Sequence, residues 1–102
     1  MITDRKEALE AVRGNIYALN DVSSELKNDF KFMIKIIKIY PGYEKIFQVI
    51  SKELLNNAAF ILKAMKFNED AYEFASDELK KDKLFCASVI AINKYAISLF
   101  LK

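Results

Sequence analysis

Apolar residues along this chain follow a pattern that restarts. Counting from Asp4, they fall at offsets 4, 5, 8, 14, 15, 18 and 22, as Ala8, Leu9, Val12, Ala18, Leu19, Val22 and Leu26. The same offsets from Asn57 give Ile61, Leu62, Met65, Ala71, Tyr72, Ala75 and Leu79, and from Asp82 they give Cys86, Ala87, Ile90, Ala96, Ile97 and Phe100. The count from Asp29 begins in register with Met33, Ile34 and Ile37. It takes in three extra residues around Tyr40-Pro41-Gly42-Tyr43, then recovers with Ile46, Phe47, Ile50 and Leu54. The starts lie 25, 28 and 25 residues apart. A period of this length marks helical hairpins, each burying its apolar face against a neighbour. The expected fold is all-α: a solenoid-like stack of four hairpins in one domain spanning residues 1–102. Alternating apolar and polar positions, the mark of half-buried strands, are absent.

Polar punctuation supports this division. Asp4, Asp29, Asn57 and Asp82 are good N-caps, since their side chains accept a bond from an otherwise unpaired helix N–H. The spacing predicts first helices over about 5–13, 30–40, 58–67 and 83–92, and second helices over about 16–22, 44–51, 69–76 and 94–101. Gly14-Asn15, Asn68 and Asn93 are read as left-handed exits from the first helices. Ser23, Ser51 and Ser76 each precede a Glu-Leu pair, predicting a short helical turn whose Leu26, Leu54 or Leu79 plugs the seam between units. Leu9, Leu62, Ile34 and Leu79 are expected in the core. Pro41-Gly42 is the strongest turn signal in the chain.

Composition narrows the chemistry. Hydrophobic residues make up 53% of the 102 positions, yet no apolar run approaches a membrane span. Met1 to Lys6 shows no signal-peptide apolar region, so an intracellular site of synthesis is expected, with secretion read at the C-terminus left open. The net charge of +2 is too balanced for a general nucleic-acid footprint. Lys31, Lys35, Lys38 and Lys45 nevertheless gather positive charge in the second unit, either as a solvated face or as a nucleic-acid face. Cys86 is the only cysteine, which excludes an intrachain disulfide, and its offset matches a packed core position. The chain has no His, the commonest general base and metal ligand. No phosphate loop, metal-ligand cluster or nucleophile–base pair is present. The expectation is therefore no enzyme, no cofactor, no metal and no catalytic residue; a small enzyme fragment is the other reading.

The stretch Asp4-Arg5-Lys6-Glu7-Ala8-Leu9-Glu10-Ala11-Val12 through Asn15, Ala18-Leu19 and Ser24-Glu25-Leu26-Lys27-Asn28-Asp29 resembles the repeat of the family called domain of unknown function 4116. The third unit matches it through Leu62, Ala64, Asn68, Ala71, Ala75-Ser76 and Glu78-Leu79-Lys80, and the fourth through Asp82, Asn93 and Ala96. The second departs at Tyr40-Pro41-Gly42-Tyr43. The resemblance implies an all-helical domain with no assigned catalytic residues, common in effectors of intracellular bacterial pathogens. For a small free-standing member it implies a bacterial effector or effector regulator. Such a protein would inhibit a sibling enzyme, of the ubiquitin-directed deamidase or transglutaminase type, in the bacterial cytoplasm or in a host cell.

Two surfaces are expected. Helix 30–40 is apolar nearly all round apart from its lysines, so it is buried on two sides or offers a contact face. On the second view Phe30, Tyr40 and Tyr43 anchor an acidic protein partner while Lys31, Lys35 and Lys45 steer it. The fourth unit lacks the closing Ser-x-Glu-Leu turn. Ile97, Phe100 and Leu101 are therefore expected to form an apolar end that a second copy covers, giving a homodimer. No membrane partner is expected.

Overall fold

The computed structural model describes the backbone of residues 1–101 and the side chains of residues 1–92. It is mostly helical. The first unit comprises α1 (Arg5–Gly14), a 3-10 helix (Ile16–Asp21) and α2 (Ser24–Lys27). The second comprises α3 (Phe30–Ile39), α4 (Ile46–Val49) and α5 (Lys52–Leu55). The third comprises α6 (Ala58–Ala64), a 3-10 helix (Glu69–Phe74) and α7 (Asp77–Lys81), and α8 (Lys83–Leu101) follows. Among the described residues the sole β pairing is an isolated parallel bridge between Ile2 and Val22. No described helix is long and apolar enough to cross a membrane.

Each unit opens on its cap. Asp4, Asp29, Asn57 and Asp82 accept the backbone N–H of Glu7, Phe32, Phe60 and Phe85 at 2.9, 2.9, 3.1 and 3.1 Å. Bonds of this kind stabilise a helix by about 1 kcal/mol each. Ser23, Ser51 and Ser76 cap the short helices in the same way, accepting from Leu26, Leu54 and Leu79. All three leucines are buried.

The asparagine exits differ from expectation. Asn15 and Asn68 are extended, with φ of −160° and −149°. Their side chains accept from the N–H of Tyr17 and Asp70, two residues ahead. They therefore start the next element rather than finish the last, a role the short Asx side chain fills without a left-handed backbone. The second helices are also shorter and tighter than expected. Asn15 and Ser23 pin both ends of the first, and the short span between them is taken up by 3-10 turns, which rise about 2 Å per residue. In the fourth unit the helix runs through Asn93 without a break, against the expected hairpin of 83–92 and 94–101.

Successive first helices touch in chain order: α1 with α3, α3 with α6, and α6 with α8. The offsets then divide by face. Offset 3 is exposed in the first unit, as Glu7, but buried as Phe32, Phe60 and Phe85 in units that have a predecessor. Offset 7 follows suit: Ala11 is half-buried, whereas Ile36, Ala64 and Val89 are buried. Offsets 4 and 8 are buried in the first three units, and in the first and third the first helix packs against its own 3-10 helix. Of the four expected core residues, Leu79 is buried at 7% exposure; the other three share offset 5 at the edge of that face, where Ile34 is buried at 8% and Leu9 and Leu62 are half-buried.

A polar ladder joins the short turns. Ser51 donates its N–H to the Lys27 carbonyl, and Ser76 to the Leu55 carbonyl, at 3.1 and 2.9 Å. The hydroxyls of Ser51 and Ser76 donate to the amide oxygens of Asn28 and Asn56. Those asparagines donate in turn to Glu53 and Glu78, at 2.7 and 3.3 Å. At the start of the ladder, Ile2 supplies the carbonyl for Ser23 at 2.8 Å. The Glu-Leu-Lys wording thus has one physical task per residue. Glu reaches the preceding unit and Leu fills the seam. Lys folds back onto the 3-10 helix, as Lys27 to the Asn20 carbonyl and Lys80 to the Glu73 carbonyl.

Candidate functional site

α3 begins at Phe30 because Asp29 caps it, and it carries lysines at Lys31, Lys35 and Lys38 on its outer side. α6 lies alongside, bringing Lys63 to the other bank. These four lysines enclose a groove of about 420 Å³ whose apolar lining is Phe30, Ile34 and Phe67. Phe30 stands edge-on to Phe60, ring centres 5.4 Å apart at 84°, the T-shaped arrangement favoured by aromatic quadrupoles. Phe60 is fully buried, so the ring offered to the groove rests on a fixed neighbour. Among the described residues the only ion pair joins Arg5 to Asp29, neither of which lines the groove, and no described carboxylate pairs with its four lysines.

The expected contact residues divide between places. Phe30, Lys31 and Lys35 share this groove. Tyr43 and Lys45 line a smaller hollow of about 230 Å³ against Ile16, Tyr17 and Val49. Tyr40 lines neither: its hydroxyl donates to the Val12 carbonyl at 2.7 Å, with the Arg13 carbonyl at 3.0 Å. It thereby satisfies the last turn of α1, where carbonyls lack helical partners. The three-residue insertion carries Tyr40 to that position. Pro41 and Gly42 occupy a turn closed by the Tyr43 N–H on the Tyr40 carbonyl at 3.1 Å. The Tyr43 phenol is raised above the ordinary value, first by side-chain hydrogen bonding with the neighbouring Tyr17, then by desolvation, then by repulsion from Tyr17. The side chains of the expected dimer residues Ile97, Phe100 and Leu101 lie outside the described residues.

Lys38, Lys63 and Phe67 complete the groove but were not among the expected contacts. Lys63 was within reach of the repeat itself, since it shares offset 6 with Lys35. Two first helices that pack in register bring such positions to one side. Phe67 had no comparable signal, because the turn after α6 sets its direction.

Cys86 is half-buried, and its thiol donates to the Lys80 carbonyl at 3.2 Å. Lys80 holds the ladder position that Lys27 and Leu55 hold earlier, so the thiol occupies an acceptor that a following serine would use.

A family model described as domain of unknown function, DUF4116, matches residues 4–57 and 59–101. No curated protein and no solved structure matches the chain.

Proposed function

The chain belongs to the DUF4116 family, and from that premise we propose that it is a non-enzymatic recognition module. It takes an acidic, apolar-bearing segment of another protein into the groove between α3 and α6. On this reading the first three units, whose starts and ends lie 25, 28 and 25 residues apart, form a solenoid-like stack of helical hairpins on which α8 docks. Contacts between successive first helices and the Ser–Asn–Glu ladder support such a stack. The observation that carries the reading is the groove: Phe30, Ile34 and Phe67 ringed by Lys31, Lys35, Lys38 and Lys63. An apolar centre with a charged rim has the anatomy of a protein-recognition surface, with the lysines acting mainly on association rate. Tyr43 and Lys45 belong to a neighbouring hollow and extend the contact only if the partner continues past α3. The resemblance to effector proteins of intracellular bacteria makes a sibling enzyme of the ubiquitin-directed deamidase or transglutaminase type the first partner to assay, with inhibition as the consequence of binding.

The test is affinity capture from nuclease-treated bacterial and host lysates with the wild-type chain and with Lys31→Glu/Lys35→Glu/Lys63→Glu. The expected result is an acidic protein retained by the wild type, lost from the variant, and released as salt rises. The captured enzyme's activity is then measured with and without the chain. Capture of nucleic acid from a parallel lysate left without nuclease, with no protein retained from the treated one, would transfer the groove to the alternative reading.

A further inference from the structure

In the first and third units the first helix packs against its own 3-10 helix, and offsets 4 and 8 are buried. Offset 8 is 0% exposed at Val12, 1% at Ile37 and 5% at Met65. In the fourth unit it is Ile90, which is 62% exposed. Cys86, at offset 4, is half-buried where Ala8, Met33 and Ile61 are fully buried, and Ala87 beside it is exposed. The adjacent face of the same helix is closed: Phe85 and Val89 are 3% and 4% exposed. α8 is therefore docked on the preceding unit through offsets 3 and 7, while the face that its own second half should cover lies open.

The sequence carries that second half. Asn93, Ala96, Ile97 and Phe100 repeat Asn15, Ala18, Leu19 and Val22 at the same offsets. The backbone takes the segment elsewhere, since α8 continues as one helix through Leu101. A hairpin element drawn straight out from its own unit, opposite an unfilled copy of its docking face, is the arrangement from which identical chains exchange elements.

We propose that residues 94–101 of one chain cover the Cys86–Ala87–Ile90 face of a second copy, and that the second copy returns the same segment. Each fourth unit is then completed by its partner, giving a closed twofold dimer. Asn93 is the hinge. In the first and third units the equivalent Asn is extended, and there the chain folds back on itself.

The hinge provides the test. Lys94→Pro places proline at the first position after the Asn. Proline there restricts Asn93 to extended backbone and is well tolerated at the start of a helix. The variant should close each unit on its own segment. Light scattering across a dilution series should give twice 11.8 kDa for the wild type and 11.8 kDa for Lys94→Pro. Ile90→Ser, which leaves the hinge intact, should also lose the dimer while keeping its far-ultraviolet circular dichroism. A wild type that stays at 11.8 kDa throughout would overturn the exchange in favour of fold-back within one chain. A dimer that survives in Ile90→Ser, or in a folded Lys94→Pro, would place the association on another surface and overturn it equally.

Discussion

Tyr40 reads in the sequence as a contact residue because it flanks an insertion, where repeat proteins often carry contacts, and exposed tyrosines are enriched at binding hot spots. Its hydroxyl instead joins the second unit to the end of α1, 28 positions earlier. Tyr40→Phe keeps the ring and removes this bond, so it should cost about 1 kcal/mol, read as a lower midpoint in thermal unfolding, with capture of the partner unchanged. Asn56 acts in the same manner between the second and third units, accepting from Ser76 and donating to Glu78. Asn56→Ala removes both bonds and should cost about 1 kcal/mol, a modest sum because the Glu78 bond is long and exposed. Tyr43 gives a pH signature. Its phenol is raised in the folded chain, chiefly through the neighbouring Tyr17 side chain, so the fold favours the neutral form. Any contribution to stability is complete below the ordinary tyrosine value of about 10 and is lost as pH rises through the higher folded value. An alkaline titration followed at the phenolate absorbance should show a late step, which Tyr17→Phe moves to lower pH.

The first helices show what an apolar pattern can and cannot convey. Caps, starts and the period were legible because each depends on one residue type at one position: Asp29 for the cap, Leu54 for the seam, Pro41 for the turn. The assignment of faces was less so. Phe32 and Phe60 share offset 3 with Glu7, and an apolar residue there reads equally as a docking surface or as an internal contact. The packing of α1 on α3 and of α3 on α6 decides for the interior. Phe60→Ala, at a fully buried position, should therefore cost about 3–5 kcal/mol, whereas Glu7→Ala, on the exposed outer side of α1, should stay within about 0.5 kcal/mol. Chemical denaturation of the two variants checks both. The second helices were hardest to foresee. The 3-10 form of those in the first and third units arises from the two capped ends that confine them, and propensity within the segment carries no trace of that. The groove was half legible for a related reason. Phe30, Lys31 and Lys35 lie on one helix, but Lys63 and Phe67 arrive from the next unit, so their place depends on how helices cross.

The molecule extends 44 × 30 × 18 Å, longer in one direction than an evenly rounded domain would be. Side-chain bonds between units connect residues only 20 to 28 positions apart, from Ser76–Asn56 to Tyr40–Val12. Low sequence separation lowers the entropy of closing each contact, so folding should proceed in the microsecond-to-millisecond range typical of helical domains, measurable by temperature jump. The main-chain rungs of the ladder add a direction to this. Ser23 donates back to Ile2, Ser51 to Lys27 and Ser76 to Leu55, each to a carbonyl that precedes it. On a ribosome, which releases the chain from its N-terminus onward, every serine therefore emerges after its acceptor is already in the open. The order of synthesis and the order of assembly coincide, and no turn has to wait for residues still inside the exit tunnel to form its backbone link.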